Sequence, residues 1–71
     1  MIEKKAPNKF SFLSNKKERI NVEFLKNEEV ELNVEIDDDE ITLLRFSTMK
    51  DFRFFCNSIT DIIEYKDSEV Q

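Results

Sequence analysis

Carboxylates are the side chains with the greatest capacity for chemistry in this chain of 71 residues. Four are consecutive, from Asp37 to Glu40, and Glu35 is nearby. Carboxylate oxygens suit Ca²⁺ or Mg²⁺, but an EF-hand loop needs ligands at alternate positions, a glycine and a distant Glu. The chain contains no glycine, and adjacent side chains in a tight turn point in different directions. We therefore interpret this run as a solvated hairpin tip, and we expect no metal site and no cofactor.

The other residue types on which catalysis depends are missing or isolated. Without His, the chain lacks the usual general base near neutral pH and the commonest zinc ligand. Without Gly, it cannot form the phosphate-binding loops of nucleotide-binding proteins. Its single cysteine, Cys56, cannot form an intrachain disulfide or a paired thiolate site, and its spacing predicts a buried position on an apolar helix face. These absences predict a non-enzymatic protein in a reducing, cytoplasmic environment.

The formal charge is −5, and it is distributed unevenly along the chain. Residues 1–19 carry six basic and two acidic side chains, whereas residues 20–71 carry five basic and fourteen acidic ones. Acidic residues also fall on the outward positions of one predicted strand and on the turn after it, at Glu31, Glu35 and Asp38. Because opposite charges steer association, this pattern predicts a protein-interaction module whose partner is basic, as an acidic inhibitor or regulator would be.

Four runs of alternating apolar and polar residues predict the strands that carry these side chains. They lie at 10–12, 20–24, 30–36 and 41–46, and the third is the most regular. The connections contain Asn15, Asn27 and the Asp run, which are the residues that a glycine-free chain uses where a turn needs positive φ. Connections this short favour an antiparallel meander, because parallel strands need long crossovers.

The spacing of apolar residues becomes helical from Thr48 to about Tyr65, with Ser47 or Thr48 as the N-cap. The sequence thus predicts an α+β fold, β-β-β-β-α, in which the four-stranded meander has one C-terminal helix packed across one face. We expect a flexible basic tail over residues 1–8, a single domain over 9–65 and a polar C-terminal tail over 66–71. No apolar run is long enough to span a membrane.

More apolar residues are present than this fold can bury, and the surplus indicates a contact with another chain. A three-residue turn before the fourth strand leaves Ile41 and Leu43 on its outer face, whereas a two-residue turn at Asp38 and Asp39 leaves Leu44 and Phe46 there. Phe54 and Tyr65 share the side of the helix opposite the core. We name Ile41, Leu43, Phe54 and Tyr65 as candidate protein-binding residues. A core of this size is marginal, so a homodimer is one expected use of this surface.

Residues 40–63, EITLLRFSTMKDFRFFCNSITDII, resemble the PC4-like family of single-stranded-DNA-binding transcription cofactors. The segment Ile41–Leu43, Ser47 and Phe52 occupy the places of that family's last strand, capped turn and early helix aromatic. The resemblance implies a homodimer that binds DNA on its sheets. The basic residues would then be Lys9, Lys16, Lys17, Arg19 and Arg45, with Phe10 or Phe12 as a stacking platform. Because phosphate affinity comes from cations, the acidic body favours a protein partner over nucleic acid.

Overall fold

The computed structural model describes residues 1–69, which form one antiparallel sheet and one C-terminal helix. Five strands follow one another in the order β1-β2-β3-β4-β5, so the sheet is a simple meander. The elements are β1 (Glu3–Ala6), β2 (Lys9–Leu13), β3 (Arg19–Phe24), β4 (Val30–Ile36), β5 (Asp39–Phe46) and α1 (Met49–Glu69). The α+β class, the antiparallel meander and the C-terminal helix are confirmed.

The prediction of four strands and a flexible tail over residues 1–8 is wrong, because Glu3–Ala6 form a fifth strand. Glu3 pairs with Ser11 and Lys4 with Phe10, and the register then shifts so that Ala6 pairs with Lys9. The strand has charged residues and no apolar alternation, so periodicity could not reveal it. Charged side chains suit an exposed edge strand, since they discourage further pairing.

The turns meet the demand for positive φ without glycine. Asp37 and Asp38 have φ of 51° and 70° and make a two-residue hairpin turn, and Asn27 has φ of 63°. The prediction for Asn15 is wrong, because Lys17 takes the positive φ in that connection, at 64°. There the Ser14 hydroxyl accepts hydrogen bonds from the backbone N–H groups of Lys16 and Glu18 and fixes the loop.

The pairing of β4 with β5 follows neither predicted register throughout. Beside the turn, Val34 pairs with Ile41, and a bulge then leaves Leu43 without a residue opposite it. Beyond the bulge, Leu32 pairs with Leu44, as the three-residue turn would have required. Because Leu32 and Val34 share one face, the bulge places Ile41 and Leu44 together on that face instead of on opposite faces.

Helix α1 begins after Thr48, whose Oγ1 accepts a hydrogen bond from the Asp51 N–H at 3.1 Å, which confirms the predicted cap. Its 21 residues span about 31 Å at about 1.5 Å per residue. It therefore continues to Glu69, through most of the predicted polar tail, while residues 70 and 71 lie outside the described part of the chain.

The helix packs against the sheet only near its start, and the expectation that it crosses the sheet face is wrong. Met49, Phe52, Phe55 and Ser58 are partly covered, and every residue from Ile59 to Glu69 is exposed. These four residues follow one another at intervals of three, so each contact is displaced around the helix from the one before it. After Ser58 the helix leaves the sheet. No helix within residues 1–69 is both long and apolar enough to cross a membrane.

Candidate protein-interaction surface

One face of the sheet, here called the polar face, is closed by its own side chains. It carries, across β2 to β5, Lys9, Ser11, Arg19, Asn21, Glu23, Glu31, Asn33, Glu35, Glu40, Thr42 and Arg45. At its centre Ser11 and Asn21 are fully buried and Asn33 is 1% exposed. The Asn21 side-chain amide donates to Asn33 Oδ1 at 2.8 Å and to Glu35 Oε1 at 3.1 Å. Polar groups in this position need such partners, because water cannot reach them.

The charged residues of the polar face pair with one another. The Arg45 guanidinium donates to Glu31 Oε2 at 2.9 Å, and Thr42 donates to the other oxygen of that carboxylate at 3.0 Å. Arg19 Nε lies 3.9 Å from Glu35 Oε2. Two of the cations predicted for nucleic acid, Arg45 and Arg19, are thus paired with two of the carboxylates predicted for a basic partner.

The ion pair of Lys9 with Glu40 shows how strongly the sheet is curved. Lys9 is on β2 and Glu40 on β5, two strands that would lie about 14 Å apart in a flat sheet. The Lys9 ammonium nevertheless donates to both Glu40 oxygens, at 3.0 and 3.1 Å. The sheet must curl toward its polar face to permit this. The hydrogen bond from Lys9 to Glu40 raises the pKa of the lysine above its ordinary 10.5.

At the edge of the polar face, β1 adds a smaller set of charges. Glu3 Oε2 lies 2.9 Å from Lys5 Nζ and 3.2 Å from an Arg19 guanidinium nitrogen. The hydrogen bond and charge of Lys5, and then the charge of Arg19, lower the pKa of the Glu3 carboxyl below its ordinary 4.5. The ion-pair layer thus extends to the first strand.

The opposite face is apolar, and an aromatic cluster at one end attaches the helix to it. The cluster consists of Phe10, Phe24, Phe46, Phe52 and Phe55. Its ring centroids lie 5.1 to 6.2 Å apart in edge-on or tilted pairs, with Phe46 against both helix aromatics. Such aromatic contacts stabilise the fold in addition to the effect of the apolar area that they bury. Val30, next to Phe24 and Phe46 in the sheet, is 1% exposed. Phe10 is a partly buried member of this cluster, in edge-on contact with Phe24.

Toward the Asp37–Asp38 turn the same face is uncovered. We call Phe12, Ile36, Ile41 and Leu44 the open sheet end, and each is 40% to 47% exposed. A groove of about 390 Å³ adjoins it, lined by Ile2, Phe10, Phe12, Val22, Phe24 and Phe52. Its lining is entirely apolar apart from backbone atoms, so it suits an apolar occupant.

The second half of the helix presents a matching uncovered row. We call Cys56, Ile59, Ile62 and Ile63 the helix stripe, since at about 100° per residue they share one side of the helix. The three isoleucines are 42% to 63% exposed. Cys56 is exposed as well, so the prediction that it is buried is wrong; the helix has turned its contact away from that position.

The remaining candidates are placed separately. Phe54 and Tyr65 are 73% and 72% exposed on the other side of the helix, and Leu43 is exposed in the bulge. Asp38 is exposed at the hairpin turn, and Lys16 and Lys17 are exposed between β2 and β3. Ile41 alone among the named protein-binding candidates joins the open sheet end.

The open sheet end and the helix stripe also contain residues that were not among the predicted binding residues, namely Ile36, Leu44, Ile59, Ile62 and Ile63. Their periodicity assigned most of them to the core. Periodicity reports which residues share a face, but it carries no signal for whether another element covers that face. A helix of about 31 Å beside strands about 4.8 Å apart is the one hint, because it outreaches the sheet.

No protein-family model, curated protein or solved structure matches this chain. The PC4-like resemblance therefore stays a prediction. Within residues 1–69, no three Asp, Glu or Cys side chains come together as a metal site would require.

Proposed function

We propose that this protein is a small non-enzymatic interaction module that binds another protein chain through its open sheet end and helix stripe. The observation that carries the proposal is a helix that leaves the sheet after Ser58 while its apolar stripe continues. An exposed apolar surface of this kind is characteristic of sites that contact a partner. The absence of His and Gly from the sequence argues in the same direction, against acid–base and nucleotide chemistry.

Charge contributes to this binding less than the sequence indicated. Glu31 and Glu35 already have cationic neighbours, so a basic partner would have to displace Arg45 or Arg19 from them. The role of an acidic regulator depends instead on exposed carboxylates such as Asp38. We therefore propose that apolar contact supplies the affinity, while the net charge of −5 selects against acidic partners.

Affinity capture from the cells that encode the protein tests this proposal, with the full chain as bait. Bait with Ile41→Ser and Ile62→Ser, one change in each part of the surface, should lose any protein that the wild type captures. Bait with Phe54→Ser is the matched control, because it removes an equally exposed apolar side chain from the other side of the helix. Circular dichroism of each bait confirms that it is folded.

Capture that survives both serine changes but fails with Phe54→Ser would overturn the proposed surface and favour the row of Phe54 and Tyr65. Capture that is lost with Asp38→Asn but not with the two serine changes would favour the acidic turn as the binding site. Capture of nucleic acid that is abolished by Lys16→Ala and Lys17→Ala would replace a protein partner with the nucleic-acid alternative.

A further inference from the structure

The exposed surface of this chain is too large for a compact monomer of its size. Its accessible area is 6010 Å², whereas a folded monomer of 8.5 kDa exposes about 4,650 Å². Its radius of gyration is 14.0 Å, against about 11 Å for a compact domain of this length. The excess of about 1,350 Å² exceeds the roughly 800 Å² that each chain of a standard interface buries. The excess exposed area is therefore sufficient for an interface with a second chain.

The two uncovered apolar regions complement each other. One is a helix stripe with no sheet under it, and the other is a sheet face with no helix over it. A pair of chains related by a two-fold axis can satisfy both at once, since each surface meets the other surface of its partner. Resting on the proposed function, we propose that the occupant of the open apolar surface is a second copy of this chain.

The charges along the helix favour an antiparallel arrangement of the two helices. Residues 49–58 carry two basic and one acidic side chain, whereas residues 59–69 carry one basic and four acidic ones. Antiparallel packing puts the positive half of each helix beside the negative half of the other, while parallel packing puts like beside like. At about 100° per residue, Arg53 and Asp67 lie along the same edge of the helix stripe, so a crossing near Thr60 brings them together between chains.

The same arrangement covers the open sheet ends. Each helix begins at its own sheet and extends away from it, because its first residues pack in the aromatic cluster. An antiparallel neighbour therefore ends where the first helix begins. Its Ile62 and Ile63 then lie over the apolar face that carries Ile41 and Leu44. The dimer core is thus built from both uncovered regions.

Sedimentation equilibrium of the full chain tests the proposal. The wild type should have twice the 8.5 kDa mass of one chain. Ile59→Asp should raise the dissociation constant by at least about 100-fold, because each dimer would bury two unpaired carboxylates. Asn57→Asp is the matched control, because it adds the same carboxylate to an exposed position outside the stripe, and it should leave the dimer intact.

A charge exchange tests the orientation. Arg53→Glu and Asp67→Arg should each weaken the dimer, and the double variant should restore it, in 50 mM salt more than in 1 M salt. A double variant as weak as the singles would overturn the antiparallel arrangement. A dimer unaffected by Ile59→Asp would overturn the interface itself.

A monomeric wild type would overturn self-association. The fluorescence of the dye ANS, which binds exposed apolar surface, would then test whether the proposed function is also wrong. A monomer that binds ANS, and binds it less after Ile62→Ser, still has an open apolar surface, so only the second copy is rejected. A monomer that binds no ANS has closed that surface by itself, which rejects the proposed function as well.

Discussion

The two faces of the sheet differ in how far their side chains are covered within one chain. On the polar face, Ser11 and Asn21 are fully buried beneath a layer of ion pairs that the chain makes with itself. On the apolar face, only Val30 and Val34 among the apolar residues are buried, although this face has the greater hydrophobic area. Apolar burial is the main stabilising contribution in most domains. Here it is incomplete within one chain, while the polar contacts are nearly complete.

The curvature of the sheet explains this difference. Curling toward the polar face brings Lys9 within 3.0 Å of Glu40 and encloses the row of Ser11, Asn21 and Asn33. The apolar face is then the convex side, which spreads its side chains apart and presents more area than a single helix start can cover. A surface that is polar and concave closes on itself, whereas one that is apolar and convex requires another element. We therefore expect substitutions on the polar face to affect the folding of one chain, and those on the open apolar surface to affect association.

The largest effect should come from the one place where the apolar face is closed. Phe46 contacts both Phe52 and Phe55, with centroids 5.3 and 5.1 Å away, and so attaches the helix to the sheet. Phe46→Ala should lower the free energy of unfolding by about 2–3 kcal/mol, somewhat less than for a fully buried Phe. Urea denaturation at fixed protein concentration measures it. Phe54→Ala should cost less than about 0.5 kcal/mol, because its ring is 73% exposed. Equal losses for the two would contradict the assigned role of the cluster.

An intermediate effect is expected at the centre of the polar face. Asn21→Ala removes the donor to Asn33 and Glu35 and should cost about 2 kcal/mol in denaturant unfolding, since Asn33 stays buried without it. Asn57→Ala, at an exposed helix position, should change stability by less than about 0.5 kcal/mol.

The double variant Asn21→Val and Asn33→Val sharpens this test. Asn21 Oδ1 and Asn33 Nδ2 make no hydrogen bond to any residue in the described part of the chain. Replacing both amides removes these unpaired atoms together with the pair, so the double variant should lose less stability than the sum of the two single valine variants. Additive losses would show that the two amides act independently.

The strands, the helix and the turns were predictable from the sequence only where a local residue pattern determines them. Alternation in residues 30–36 and helical spacing after Thr48 predicted the elements, because both periodicities follow from local geometry. Asn27 and Asp37–Asp38 were predictable as turns, because few residues other than glycine tolerate positive φ. Strand β1 was not, since its run of charged residues has no apolar alternation.

The candidate site was less predictable than the fold. The bulge at Leu43 changes which apolar residues share a face. The adjacent Leu43 and Leu44 interrupt the alternation of β5 there, but such an interruption is compatible with a shifted register as well as with a bulge. The point where α1 leaves the sheet depends on the curvature of five strands together. Ile41 was predicted as a binding residue because the chain has more large apolar side chains than one core can bury. The spacing of Ile59, Ile62 and Ile63, in contrast, is that of ordinary core residues.

The smallest effect should come from the ion pair that reports the curvature. Lys9→Met keeps the apolar stem of the side chain and removes the ammonium, so it should cost at most about 1 kcal/mol near neutral pH. The hydrogen bond to Glu40 raises the pKa of folded Lys9 above 10.5, so its contribution is fully present below about pH 10.5 and is lost as the pH rises through the folded-state value. The difference in unfolding free energy between wild type and Lys9→Met should therefore be constant from pH 7 to 10 and shrink above pH 10.5. Lys50→Met, at an exposed helix position, is the matched control, and it should change the unfolding free energy by less than about 0.5 kcal/mol. A difference for Lys9→Met that persists unchanged at high pH would show that it does not arise from the charged pair of Lys9 with Glu40, and it would contradict the role of that ion pair in the curled sheet.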